Sequence, residues 1–183
     1  LNVHDNVLFF TSKRNFRRIN FDKMDNEDIF FSQRVEGFWS DAKELKEINT
    51  RFNEGSAALS KDGKTLYFAR CDSPDGLGNC DIYSAKMQAD STWGEIKNLG
   101  AAVNSTSWDS QPSLSHSEDT LYFASDRLGG FGLSDIYYTY KTGKEGSWSK
   151  AVNLGPNINT RHNVLSPFLH PRFVVLYFSS NGQ

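Results

Sequence analysis

Residues 71 to 83, CDSPDGLGNCDIY, gather two cysteines, three aspartates and two glycines into thirteen positions. Such residue types serve metal binding, thiol redox chemistry or a tight turn. Zinc fits poorly, because these are the chain's 2 cysteines and no histidine lies near them in sequence. Calcium fits no better: Asp72, Asp75, Asn79 and Asp81 lack the alternating ligand spacing that ends in a bidentate glutamate. Asp81 reads instead as a turn residue whose short acceptor side chain holds backbone N–H groups of the adjoining loop. No metal ligand set and no cofactor is expected.

The search for catalytic groups is equally spare. Gly55-Ser56 and Gly146-Ser147 lack the flanking residues of a nucleophile elbow, and no H-E-x-x-H occurs. The four histidines, His4, His116, His162 and His170, are scattered, with His116 and His170 in or beside turns. Asp and Glu number 22, yet nothing in the order of residues brings two together in opposed environments, as a glycosidase pair requires. Against these stand 20 Lys and Arg, for a net charge of −2, so tight binding to a phosphate backbone has no electrostatic basis and no nucleic-acid partner is expected. No apolar run reaches the roughly 18 residues of a membrane span. The opening LNVHDNVLFF also lacks a basic region followed by a small-residue cleavage site.

The elements that would position any such groups emerge from repetition. LYF occurs at 66–68, 121–123 and 176–178, with LFF at 8–10 as a weaker copy. DIY at 81–83 and 135–137 is preceded by DIF at 28–30. Trp39, Trp93 and Trp148 recur at intervals of 54 and 55, followed in the same order by Leu45, Leu99 and Leu154, then Asn49, Asn104 and Asn159, then Leu59, Leu114 and Leu169. The chain is a tandem repeat of about 55 residues.

Each unit reads as four short strands: SAALS or QPSLS, then KTLYFAR or DTLYFAS, then DIYSAKM or DIYYTYK, then WGEIKNL or WSKAVNL. Asp62-Gly63 supplies the left-handed backbone a tight hairpin needs. Tryptophan and leucine six apart are expected on one face of the fourth strand. The segment DAKELKEI at 41–48 has helical propensity, but its register makes it a fourth strand. Four antiparallel strands per unit form a propeller blade, apolar on both faces, so LYF and DIY are continuous apolar runs. The fold expected is all-β, a β-propeller with an incomplete ring of two whole blades plus two partial ones. Its divisions are 1–50 (partial blade), 51–105 (blade), 106–160 (blade) and 161–183 (partial blade).

The Asp-Gly turn, LYFAS, a Gly-rich loop and DIY resemble the WD-repeat-like propeller repeat of TolB-type proteins. LYFASDRLGGFGLSDIYY followed by SWSKAVNLGPNINT is similar, more narrowly, to the propeller of OmpA-family envelope lipoproteins of the Bacteroidetes, including the PorE-like proteins of type IX secretion. The resemblance implies a periplasmic, outer-membrane-associated protein with envelope proteins of a secretion or outer-membrane complex as partners. Peptidoglycan would be reached only through an OmpA-like domain, which these residues do not include. The first unit departs from the pattern through an insertion at residues 11–27.

In repeat register Cys71 matches Asp126 and Cys80 matches Ser134, positions that flank the loop between the second and third strands. Opposed positions there lie about 4.5 to 5.5 Å apart at Cβ, so a Cys71–Cys80 disulfide is expected, with two packed thiols as the alternative. An oxidising compartment suits it. Three places break the repeat and are candidate protein-binding residues: Arg14, Arg17 and Arg18 around the insertion, Trp108 in STSWDSQP, and Arg161 with His162 one blade later. Trp108 has a second reading, as cover for a seam between blades. The leading functional expectation is a non-catalytic protein-binding scaffold in the bacterial envelope. The alternative is the propeller of a carbohydrate-active or peptidase-associated enzyme whose catalytic part lies outside this segment.

Overall fold

The computed structural model describes residues 2–4, 6–13, 26–143, 147–170 and 173–182. All its regular structure is β, in four antiparallel sheets that follow chain order. The first holds β1 (Asn2–His4), β2 (Val7–Ser12) and β3 (Asp28–Val35), with β4 (Phe38–Trp39) and β5 (Lys43–Glu44) sharing its outer position. The second is β6 (Asn53–Leu59), β7 (Thr65–Cys71), β8 (Cys80–Met87) and β9 (Trp93–Asn98). The third is β10 (Asp109–Leu114), β11 (Thr120–Ser125) and β12 (Asp135–Thr142), edged by β13 (Ser147–Trp148) and β14 (Val152–Asn153). The fourth pairs β15 (Val164–Leu169) with β16 (Leu176–Ser180). The first strands β6, β10 and β15 neighbour one another, so the sheets radiate from a common inner edge. This is an incomplete β-propeller, as the repeat implies.

Packing explains the continuous apolar runs. Leu66 and Phe68 join Tyr83 and Trp93 against Phe9, Ile29, Leu45 and Ile48 of the first blade. Tyr67 and Ile82, one residue out of phase, join Val103 against Leu121, Phe123 and Tyr137 of the third. Alternate residues of one strand thus fill two different seams. Burying each such Leu or Phe stabilises the fold by roughly 1.5 to 3 kcal/mol, and neither face can be polar.

The repeated asparagines are the pins between strands. Asn49 accepts from Ile29 N at 2.9 Å and donates to Ile29 O at 2.8 Å. Asn104 does the same for Ile82 at 2.9 and 3.0 Å, and Asn159 for Ile136 at 2.8 and 2.9 Å. Each therefore satisfies a third-strand amide that would otherwise be buried without a partner. Each asparagine is itself placed by one turn, in which its N–H bonds the carbonyl of Leu45, Gly100 or Gly155. The helical propensity of DAKELKEI is spent on that turn. Only Lys43–Glu44 forms a strand, and Leu45 and Ile48 are buried by the turn itself.

One packing expectation fails. Trp93 faces the first blade while Leu99 packs toward the third, on the opposite side of the sheet. The cause is a bulge: the register of β8 and β9 shifts between Ser84 and Lys86, and Glu95 takes a φ of 48°. One inserted residue reverses the parity of everything beyond it.

Candidate functional site

The 71–83 loop resolves as a structural clasp. Cys71 and Cys80 stand directly opposite each other at the end of the β7–β8 ladder and are joined by a disulfide. Asp81 takes the turn role expected of it. Its Oδ2 accepts from Leu77 N at 2.5 Å and from Asn98 Nδ2 at 3.2 Å, while Oδ1 is buried without a partner among the described residues. Burial pushes its carboxyl above the usual value, with Leu77 N, Gly78 N and Asn98 pulling the other way. Asp135 repeats the pattern with Phe131 N at 2.5 Å and Asn153 Nδ2 at 2.8 Å. Gly78 and Gly132 lie against the carbonyls of Ser107 and of Thr160 and His162, where any side chain would collide with the connector to the next blade. These loops are occupied by folding, and among the described residues no three His, Cys, Asp or Glu gather to hold a metal.

Among the described residues, an open cleft lies where strands of three blades meet at one end of the inner edge. Its volume is about 370 Å³, lined by Thr11 and Ser12 at the end of β2, Asn53 to Ser56 at the start of β6, and Trp108, Ser110 and Gln111 at the start of β10. Lys13 and Glu27 stand at it as an exposed ion pair of 3.7 Å. The third charged group, Glu54, is buried and committed: it accepts from Thr50 N at 2.9 Å, Thr50 Oγ1 at 2.6 Å and Arg70 Nε at 2.8 Å.

Inner-strand backbone shapes this cleft in a way the sequence reading missed. In β6 the pair Ser56-Ala57 faces the single residue Phe68, and in β10 Gln111-Pro112 faces Phe123. In β15, Ser166-Pro167 faces Phe178. The first residue of each bulge is left-handed, with φ of 53° at Ser56, 58° at Gln111 and 54° at Ser166. A non-glycine residue there costs about 1 to 2 kcal/mol, and such strain persists only where surrounding structure enforces it. The bulges link neighbouring sheets: Ser56 N donates to Thr11 Oγ1 at 3.0 Å, and Ser166 N donates to Gln111 Oε1 at 2.7 Å. The available signal was the 55-residue spacing of these three residues, with proline following two of them.

Of the candidate binding residues, Trp108 lies in the cleft lining, half-buried, its backbone fixed by donation to Asp126 Oδ1 at 2.7 Å. It belongs to neither apolar seam cluster. Arg161 and His162 sit one blade on, outside that lining, with Arg161 Nε 3.2 Å from His162 Nε2. Arg14, Arg17 and Arg18 lie outside the described residues.

No protein-family model matches the chain, and no curated protein matches it. Among solved structures, it is similar to a thermostable family-43 glycoside hydrolase, with a TM-score of 0.61 at 12% identity over 97% of this chain. It is also similar to an alpha-L-arabinofuranosidase from Lactobacillus brevis, with a TM-score of 0.51 at 16% identity over 88% of this chain. The chain spans 62% of the first and 55% of the second. These likenesses overturn the resemblance drawn from LYFAS and DIY. The neighbours are glycoside-hydrolase propellers, not TolB-type or PorE-like envelope lipoproteins. With that, the expectation of a non-enzymatic envelope scaffold, including its type IX secretion and outer-membrane anchoring roles, is overturned. The motifs misled because they encode blade packing, which unrelated propellers share.

Proposed function

We propose that this chain is the substrate-holding part of a carbohydrate-active propeller, receiving a saccharide in the cleft at its inner edge. The observation that carries this reading is Trp108 beside a polar, strained cleft, in a fold shared with two glycoside hydrolases. A saccharide ring presents apolar C–H faces rimmed by hydroxyls. A half-buried indole offers a rigid apolar face with a polar tip, and Thr11, Ser12, Asn53, Ser56 and Gln111 offer hydrogen bonds around it.

Glycoside cleavage generally takes two carboxyl groups about 5 to 10 Å apart. Of the two glutamates lining the cleft, Glu54 is already held by Arg70 and Thr50. The described residues therefore supply the platform, and the catalytic pair is assigned to the whole protein. The disulfide adds an oxidising compartment to the proposal. The test is affinity electrophoresis through gels of neutral and acidic polysaccharides, with reducing-sugar release measured on the same panel for the full-length protein. Retardation by at least one polysaccharide, with cleavage by the full-length chain, is expected; free migration through all of them with no release would overturn the reading.

A further inference from the structure

We infer that the Cys71–Cys80 disulfide is a redox control on the inner cleft, holding Trp108 in place while closed and releasing it when reduced. This concerns the regulation of the site proposed above and rests on that reading, but separate observations carry it. The first is that two departures from the repeat meet. Trp108 stands where the other connectors have Asn53 and Asn163, and the cysteine pair stands where blade three has Asp126 and Ser134. Cys80 and Trp108 form a parallel bridge, and Asn79 N donates to Ser107 O at 2.9 Å. Gly78 lies against the carbonyls of Ser105 and Ser107. The loop that the disulfide closes is therefore one wall of the connector that brings Trp108 to the cleft lining, which also includes Cys71. The other wall is Asp126, whose Oδ1 accepts from Trp108 N at 2.7 Å and whose N donates to Trp108 O at 3.2 Å. Reduction loosens the first grip and leaves the second.

The second observation is an internal control. In blade three, Gly132 lies against the carbonyls of Thr160 and His162, Ser134 and Asn163 form the same parallel bridge, and Val164 N donates to Ser134 O at 2.8 Å. That junction forms with Asp126 and Ser134 at the cysteine positions. The fold thus builds the junction without a crosslink. At blade two the crosslink adds a limit on how far the loop beside Trp108 can move.

The third observation is access. Asp72, Pro74, Asp75, Leu77 and Asn79 of the closed loop are exposed, Cys71 is half-buried, and Cys80 is 5% exposed. Disulfides at exposed positions are the reducible ones, and Cys71 is the more open end of this bond. The reductant is a dithiol. One of its thiolates attacks the Cys71 sulfur, the S–S bond breaks, and Cys80 leaves as a thiolate that takes up a proton. Its second thiol then attacks the mixed disulfide and frees Cys71 as a thiol. Two electrons and two protons pass to the protein, and the dithiol ends as a disulfide.

The test compares the oxidised protein, the protein held in dithiothreitol, and the Cys71→Ser/Cys80→Ser double variant. Alkylation with iodoacetamide followed by mass measurement counts the thiols opened without denaturant. Indole N–H resonances, with that of Trp108 assigned by its loss in Trp108→Phe, read the connector. Titration calorimetry with xylohexaose, arabinohexaose and a galacturonic acid oligomer reads the cleft. The expected result is two alkylated thiols in a folded protein, a displaced Trp108 resonance with that of Trp39 unmoved, and about tenfold weaker binding of the saccharide that the oxidised protein takes. By reciprocity, that saccharide at saturation shifts the dithiothreitol equilibrium toward the disulfide by the same factor. The double variant should match the reduced protein and ignore dithiothreitol; if it does not fold, the reduced wild type alone carries the comparison. A disulfide that opens only on unfolding, a Trp108 resonance that stays in place after verified reduction, or equal or stronger saccharide affinity in the reduced form overturns this inference and leaves the saccharide reading intact. Absence of saccharide binding by both folded forms overturns both.

Discussion

Blades two and three solve one problem with different residues. In blade two, the Arg70 guanidinium lies over the rings of Phe68 and Tyr83, bonds Ile48 O at 2.8 Å and pairs with Glu54 at 2.8 Å. In blade three, the Arg127 guanidinium lies over Phe123 and Tyr137, bonds Val103 O at 2.7 Å and pairs with Asp109 at 2.5 Å. Every partner is a repeat equivalent, but the arginines are not: Arg70 faces Asp81 in the ladder, where blade three has Ser125 facing Asp135. Arg127 lies two residues further on and is steadied by Ser125 Oγ at 2.8 Å. Glu54 is one methylene longer than Asp109, so the two pairs span the seam with different division of length. What recurs is a cation at one point in space, reaching back to a carbonyl of the preceding blade. At the fourth blade the carboxylate position holds Val164, and the arginine position holds Gly182. Both partners are absent together, which avoids a buried unpaired charge.

The sharpest break of this comparison is Arg70→Met, which leaves the fully buried Glu54 carboxylate without its cation. A loss of about 3 to 5 kcal/mol is expected in urea unfolding. Arg127→Met should cost less, about 2 kcal/mol, because that guanidinium is 17% exposed against 8% for Arg70 and water replaces part of its role. Equal costs would mean that exposure does not separate the two seams. Next in size is the clasp. Replacing Cys71 and Cys80 together by serine should cost roughly 2 to 3 kcal/mol, the chain-entropy value for so short a loop. Hydrogen exchange should quicken across β7 and β8 but not across β11 and β12, where the Gly-rich loop closes without a crosslink. Matched acceleration in both blades would refute a local clasp.

The smallest effect concerns Asp81. Because burial raises its folded value above 3.8, the folded chain retains a proton that the unfolded chain releases. Its contribution to stability is full below pH 3.8 and is lost as pH rises through the folded value, so at pH 7 the buried charge is a standing cost. Asp81→Asn keeps an oxygen for Leu77 N. Its melting temperature relative to the wild type should therefore rise between pH 3 and pH 7, and a falling difference would reverse the assigned cause.

Much of this fold was legible in the sequence because its landmarks have single jobs. LYF must fill two seams, Asn104 marks the repeat register, and Cys71 must face Cys80 once the hairpin register is known. The bulges at Ser56, Gln111 and Ser166 were not legible. Small or polar residues at an inner edge carry no alternation to betray a one-residue slip, and the same blindness hid the Glu95 bulge that separated Trp93 from Leu99. The Arg70 and Arg127 equivalence escaped for another reason, since repeat alignment pairs residues by position whereas electrostatics places charges by reach. Trp108 stood out as an unrepeated aromatic, but its cleft is assembled from β2, β6 and β10, which only the fold brings together.

The most direct measurement is a titration of the folded protein with a neutral oligosaccharide, followed by tryptophan emission, in the wild type and in Trp108→Ala. A saturable change that disappears in Trp108→Ala, while the other three tryptophans remain, is the result expected of a saccharide seated at the inner cleft. An undiminished change in the variant, or none in the wild type with any saccharide tried, would contradict it.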